Sequence, residues 1–245
     1  MTEPVARPLA VVTGASRGLG EVVARFLAST RYDLVIVARR EAALERSAEG
    51  ARALGAGVTT VPGDVGEATV RSAIRRAVEL RGPLDLLVNN ASELGPPGRP
   101  SLTTVPGSDL ERVFRVNVIA PVELIGELLP SLCAARAPLI VNISSDAAVG
   151  AYPGWGAYGA SKAALDLVSR TLASELSDSH VSVVSVDPGD LRTSMHQSAF
   201  AGEDISDRPL PDVTVPFWAW LMGREPTELN GRRFQAQAER WGAPA

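Results

Sequence analysis

Thr13-Gly14-Ala15-Ser16-Arg17-Gly18-Leu19-Gly20 follows directly on the apolar run Leu9-Ala10-Val11-Val12 and leads into Gly18 to Ser29, where apolar residues recur with helical period. Three glycines therefore fall at a strand-to-helix turn. Glycine there lets backbone approach a phosphate, and the first helical turn presents unpaired N–H groups at the positive end of its dipole. The spacing, Gly-x3-Gly-x-Gly, differs from the commoner Gly-x-Gly-x2-Gly. The stretch predicts a phosphate-binding βα unit at the head of the chain.

Outward from this turn the same alternation continues. Leu9 to Thr13, Asp33 to Ala38, Val58 to Pro62, Leu84 to Asn89, Pro138 to Ser144, Val181 to Asp187 and Arg232 to Ala236 read as strands. Gly18 to Ser29, Glu41 to Leu54, Ala68 to Arg81, Asp109 to Ala135 and Ala157 to Ser177 read as helices. Short apolar runs separated by helices imply an α/β fold: a doubly wound, seven-stranded parallel sheet of Rossmann type, covered by helices on both faces. No linker-like composition divides residues 1–245, so a single domain is expected. Two stretches fit no element: Glu93 to Gly107, with four prolines, and Thr193 to Pro216, read as a substrate-lid loop.

The 245 residues are 45% hydrophobic and carry a net charge of −4, with 24 basic residues scattered among 28 acidic ones, so neither nucleic acid nor an anionic membrane is an expected partner. One cysteine, Cys133, forms no internal disulfide, and with two histidines it builds no Cys/His zinc site; no metal is expected. Met1 to Pro8 carries no leader-like apolar segment, and no apolar run approaches the roughly 18 residues of a membrane span. A cytoplasmic protein is expected. All but one of the 24 Lys plus Arg are arginine, the exception being Lys162.

That lysine closes Tyr158-Gly159-Ala160-Ser161-Lys162. A separation of four puts both side chains on one helix face, where an ammonium would favour the phenolate and lower the phenol's pKa. With three tyrosines in the chain, the only lysine falls four after one by chance about 1% of the time. A tyrosine so tuned trades a proton with a carbonyl or an alcohol. Ser144 and Ser145 end the fifth strand, the latter 13 residues before the tyrosine, where a hydroxyl could hold a substrate oxygen as charge develops on it. Asn117 interrupts the apolar segment Val113 to Pro121, where it can pin its helix to neighbouring backbone and, compatibly, hold a water that links Lys162 to solvent.

At the end of the second strand, where an NAD-binding unit carries an acid for the ribose 2′-hydroxyl, the chain has Ala38-Arg39-Arg40. Asp33 would lie at the wrong end of that strand. Arg39, helped by Arg17, suits a 2′-phosphate and favours NADP(H). Asp64 and Val65 follow the third strand and Asn89-Asn90-Ala91 closes the fourth, both at strand ends where such sheets bind ligands.

Together these residues resemble the short-chain dehydrogenase/reductase family, in its single-domain branch, over nearly the whole chain. The resemblance implies a glycine motif at Gly14, Ser16, Arg17, Gly18, Leu19 and Gly20, an adenine-side acid at Asp64, cofactor contacts at Asn90 and Ala91, and a catalytic tetrad of Asn117, Ser145, Tyr158 and Lys162. It also implies that Pro188, Gly189 and Thr193 hold the nicotinamide carboxamide and pyrophosphate. Ser92, where glycine is common, and Asp187 before Pro188 depart from the pattern. The ending Gln237-Ala238-Glu239-Arg240-Trp241 replaces the family's Asp-Gly-Gly, which puts a family-like tetramer in doubt while a homo-oligomer, dimer or tetramer, remains the expectation.

The expected activity is NADPH-dependent reduction of a ketone or aldehyde, with Tyr158 as proton donor. Oxidation of a secondary alcohol with NAD(P), and a non-catalytic dinucleotide-binding scaffold, are the alternatives. Candidate substrate walls are Leu94, Ala147, Tyr152, Trp155, Leu191, Met195, His196, Phe200, Phe217 and Trp218, with His196 read as solvent-facing; these walls suit a bulky, partly apolar substrate.

Overall fold

The computed structural model describes residues 7–242; most of the N-terminal stretch read for a leader lies outside them. Seven strands form one parallel sheet in the order β3-β2-β1-β4-β5-β6-β7. They are β1 (Leu9–Thr13), β2 (Asp33–Ala38), β3 (Val58–Pro62), β4 (Leu86–Asn89), β5 (Leu139–Ile143), β6 (Ser182–Asp187) and β7 (Arg233–Gln235). The strand runs read as continuously apolar because both faces are covered. Ala10 and Val12 of β1, with Leu34 and Ile36 of β2, face one core, and Leu9, Val11, Val35 and Val37 face the other. The first core is closed by α1 (Gly18–Ser29) and α2 (Glu41–Ala53), and the second by α3 (Ala68–Glu79) and the long helical segment after β4.

That segment begins beyond the proline-rich stretch with α4 (Gly107–Phe114), passes through a π turn (Arg115–Ile119) and continues as α5 (Ala120–Cys133). The expected helix from Asp109 to Ala135 thus exists, but one widened turn interrupts it at Asn117. A π turn inserts one residue and so rotates the remainder of the helix, a device common at functional sites. Residues 107–133 are long and apolar enough overall to match a membrane span, although charged residues interrupt them. Here Leu124, Ile125, Leu128 and Leu132 pack into the second core. α6 (Gly156–Glu175) then carries the Tyr-x3-Lys pair.

The stretch Thr193 to Pro216 is not the structureless loop expected. It contains α7 (Ser194–Ala199), and α8 (Val215–Met222) begins within it. The N-terminus of α7 is capped by the Thr193 hydroxyl, which accepts the His196 N–H at 3.1 Å. α9 (Pro226–Leu229) leads to β7. The aromatic ending is packed rather than loose: the ring of Trp241 lies 5.5 Å from Phe217, and its indole N–H donates to the Gln235 carbonyl.

Strand order reverses between β1 and β4. In such sheets the carboxyl ends of those two strands open a crevice. Asp33 sits at the opposite end of β2, paired with Arg7 and Arg81 at 3.2 Å each, so it faces away from the crevice as its sequence position predicts.

Candidate active site

A cleft of about 680 Å3 runs across the strand ends. Its two ends differ in construction. At one end is the glycine turn. A Cβ on Gly20 would stand 2.4 Å from the Gly14 carbonyl oxygen and 2.5 Å from Asn90 Nδ2, and one on Gly14 would stand 2.8 Å from the same amide. Gly14 and Gly18 also take positive φ angles of 69° and 60°, which only glycine adopts without strain. Asn90 ties the turn to β1: its side-chain amide donates to the Thr13 carbonyl at 2.8 Å, while the Thr13 hydroxyl accepts the backbone N–H groups of Asn90 and Ala91 at 3.0 Å each. The Ser47 hydroxyl holds the Ala15 carbonyl from outside. The N-terminus of α1 has no side-chain cap, which leaves its first N–H groups aimed at the cleft as an anion site.

Ser16, Arg17, Leu19, Arg39, Asp64, Val65 and Ala91 line this end. The Arg39 guanidinium is half exposed and lies 3.5 Å from Glu93 and 3.9 Å from Asp64. Arg112 shares Glu93 at 3.2 Å. Asp64 also accepts the Gly66 N–H at 2.9 Å, so it braces its own turn. Glu93 is a residue that sequence reading does not single out. This end fits a nicotinamide dinucleotide: a glycine cradle that a single added Cβ would fill, an uncapped helix N-terminus, and an arginine at the ribose position.

Across the cleft, α6 presents Tyr158 and Lys162 on one face. The Lys162 ammonium is 5.5 Å from the Tyr158 ring centroid and donates to the Ile143 carbonyl at 2.7 Å, at the end of β5. It is 2% exposed. Burial pulls its pKa down to about 8, opposed by the carboxylate of Asp166 one turn further along the helix. Burial also pushes the Tyr158 phenol up to about 12, against the favourable hydroxyls of Ser145 and Ser92 and with added repulsion from Asp187 and Asp146. The phenol's pKa is therefore raised rather than lowered as expected, with burial the largest cause.

Ser145 caps a short 3-10 turn, accepting the Ala147 N–H at 3.1 Å and donating to Asp146 at 2.9 Å. To hold a substrate oxygen, that hydroxyl must turn from Asp146. Asn117 lies behind the cleft, fully buried. Its amide donates to the Glu93 carbonyl and to Ser161 Oγ at 2.9 Å each, and its oxygen accepts from Ser92 Oγ at 3.1 Å and from the Glu93 N–H at 2.8 Å. These bonds express its pinning role. Pro188, Gly189 and Thr193 line the cleft beyond Tyr158. Gln237 of the atypical ending supports that turn, donating to the carbonyls of Pro188 and Asp190 at 3.0 and 3.1 Å.

The remaining wall is largely aromatic and apolar. Leu94, Ala147, Tyr152, Trp155, Leu191, Met195, His196 and Phe200 all line the cleft. Trp155 packs edge-on against Tyr158 at 5.8 Å, and Phe200 stacks on His196 at 4.8 Å. Phe217 and Trp218 are corrected: at 0% and 1% exposure they belong to the core under α1, because α8 turns them inward. His196 is likewise not solvent-facing. Its side chain is only 13% exposed, near Asp190, and burial holds its pKa below the usual imidazole value. Arg99, not anticipated from sequence, stacks over Phe200 at 4.5 Å and Trp155 at 5.7 Å.

Residues 8–204 match the family model for short chain dehydrogenase, and the chain belongs to that family of oxidoreductases. Among relatives, the rhamnolipids biosynthesis 3-oxoacyl-[acyl-carrier-protein] reductase of Pseudomonas aeruginosa is 36% identical over 218 residues, covering 86% of this chain and 83% of that protein. A short chain dehydrogenase of Escherichia coli CFT073, solved with NADPH, superposes with a TM-score of 0.86 at 28% identity, covering 94% of this chain and 97% of that one. NAD+-bound xylitol dehydrogenase shares the fold, with a TM-score of 0.82 at 20% identity and coverage of 95% and 98%.

Proposed function

We propose that this protein is an NADPH-dependent reductase of ketones or aldehydes. The observation that carries the reading is the meeting, at one cleft, of Tyr158, Ser145 and Lys162 with a glycine cradle and Arg39. Bound nicotinamide dinucleotide supplies the hydride; Gly14 to Gly20, Asn90, Ala91, Pro188, Gly189 and Thr193 would hold it, with Arg39 on its 2′-phosphate. Tyr158 then gives its phenolic proton to the carbonyl oxygen. Burial keeps that phenol protonated at neutral pH, so it can donate to a carbonyl oxygen. Ser145 donates a hydrogen bond to the same oxygen as negative charge grows on it. Lys162, anchored on Ile143, stabilises the phenolate left behind.

A second reading, alcohol oxidation with NAD, draws on one feature: Glu93 and Asp64 already engage Arg39, so a 2′-phosphate must displace them. Titration with NADPH and NADH separates the two. Tenfold tighter NADPH, a difference of about 1.4 kcal/mol, supports the Arg39 assignment; equal or tighter NADH overturns it. The P. aeruginosa relative's name puts 3-oxoacyl thioesters first in a carbonyl screen, with bulky aryl ketones second for the aromatic wall. Dinucleotide binding without turnover of any carbonyl or alcohol would leave the scaffold alternative standing, and failure to bind either dinucleotide would overturn all three readings.

A further inference from the structure

We propose that Arg233 is a positioning residue for this reaction centre: its guanidinium fixes the backbone carrying Ser145 and balances two buried carboxylates, Asp166 and Asp187, that flank Lys162 and Tyr158. The proposal rests on the reductase reading of the same site.

Arg233 opens the three-residue strand β7 and does not line the cleft. Its fork reaches three different elements. Nε donates to Asp166 Oδ2 of α6 at 3.0 Å; the terminal nitrogen NH2 donates to the Ser145 carbonyl at 2.8 Å and to Asp187 Oδ2 of β6 at 3.3 Å. Each partner bears on a different group of the site. Asp166 continues the Tyr158–Lys162 row of α6 by one more turn. Asp187, 3% exposed, uses its other oxygen to accept the Gly189 N–H at 3.0 Å and so shapes the turn behind the cleft. The Ser145 carbonyl belongs to the residue whose hydroxyl meets the substrate.

A purely structural role explains this poorly. β7 is already paired with β6 through Ser185, Val186 and Asp187, and Phe234 anchors it in the core. Burying a guanidinium and two carboxylates costs more desolvation than apolar side chains of similar size, so such a cluster adds little stability over an apolar one. The second oxygen of Asp166 is buried without a hydrogen-bond partner, which leaves that carboxylate dependent on Arg233. The charged groups around the centre are Lys162 and Asp166 on α6, Asp146 after β5, and Asp187 and Asp190 at and after the end of β6, with His196 facing Asp190 from α7. Arg233 is the cation shared by Asp166 and Asp187.

The test uses a feature of composition. Lys162 is the chain's only lysine, so protein labelled with 13C,15N-lysine gives one side-chain resonance, and its titration reads the local charge balance with no cofactor or substrate present. The wild-type midpoint is expected near 8. In Arg233→Met, or in Arg233→Gln if that variant does not fold, Asp166 acts unopposed and the midpoint should rise by about one pH unit. In Asp166→Asn, whose amide oxygen still accepts from Arg233, it should fall. Arg233→Lys keeps the charge but not the fork; its kcat should drop by about tenfold to 10²-fold with KM and NADPH affinity held and the pH profile unmoved. A lysine midpoint unchanged in a folded Arg233 variant, or wild-type kcat in Arg233→Lys, overturns the proposal. Should the wild-type chain reduce no carbonyl, the reductase reading fails by itself, and the lysine titration still decides the charge balance.

Discussion

The two ends of the cleft are built on opposite plans. The glycine end is made of backbone: strand ends, a glycine turn and a helix N-terminus, braced by Asn90, Thr13 and Ser47 through short bonds to main-chain atoms. The aromatic end is made of side chains from loops and short helices: Tyr152 and Trp155 before α6, Met195, His196 and Phe200 on and after α7, and Arg99 from the proline-rich segment. Backbone cradles bind what all members of a fold share, whereas side-chain walls are free to vary. This chain should therefore tolerate change at the second end and not at the first, and the reacting groups at their junction should tolerate it least.

The junction gives the largest expected effect. Tyr158→Phe should lower kcat by about 10²–10⁴-fold, since a general acid is lost, while NADPH affinity measured by titration stays put; a variant at full rate would remove Tyr158 from the mechanism. The backbone cradle ranks second. Gly20→Ala forces a methyl against the Gly14 carbonyl and the Asn90 amide, costing about 1–3 kcal/mol by thermal or denaturant unfolding and abolishing tight dinucleotide binding. Wild-type stability in that variant would mean the turn is looser than its geometry.

The junction is also testable through pH. Folded Lys162 has a pKa lowered from 10.5 to about 8, so between these values the unfolded chain holds a proton that the folded chain has released. Ligand-free stability should then rise with pH through that window, by about 1–2 kcal/mol between roughly pH 8 and 9.5 relative to Lys162→Met. Tyr158 works the other way above pH 10, because the folded phenol keeps its proton up to about 12 while the unfolded one loses it. Parallel pH–stability curves for wild type and Lys162→Met, from chemical denaturation, would refute the depressed lysine. Arg39→Ala should weaken NADPH by about tenfold and leave NADH within about twofold. The smallest effect is at the variable end: Phe200→Ala should change KM for bulky ketones by about two- to fivefold, the scale of a partly buried ring, with NADPH affinity unaltered. An equal loss for NADPH would erase the distinction between the two ends.

Legibility in the sequence divides along the same line. β1 and β2 are continuous apolar runs, as strands of a doubly covered sheet are, and their boundaries are met residue for residue. The glycine turn and the Tyr158–Lys162 pair are equally readable from local spacing, whereas Asn90-Ala91 is readable only as a strand end, its bonds to Thr13 crossing 77 residues or more. Phe217 and Trp218 mislead because α8 is a short helix whose apolar residues offer no polar face to orient it; only packing under α1 decides which way the rings point. Arg233, Asp187 and Glu93 carry no local signal: Arg233 and Asp187 meet across a separation of 46 residues, and Glu93 meets Arg39 across 54. Asp166 does leave a trace, one helical turn beyond Lys162 in the same row.

By itself the sequence determined the parallel sheet, the glycine turn after β1 and the Tyr158–Lys162 row on α6, because each depends on periodicity or on a short local spacing. The tertiary structure decided the rest: that burial raises the Tyr158 phenol; that α7 and Arg99 wall the aromatic end of the cleft; and that a guanidinium from the last strand gathers Ser145, Asp166 and Asp187. Desolvation and long-range ion pairing depend on which segments meet in space, and no local pattern in the chain encodes that meeting.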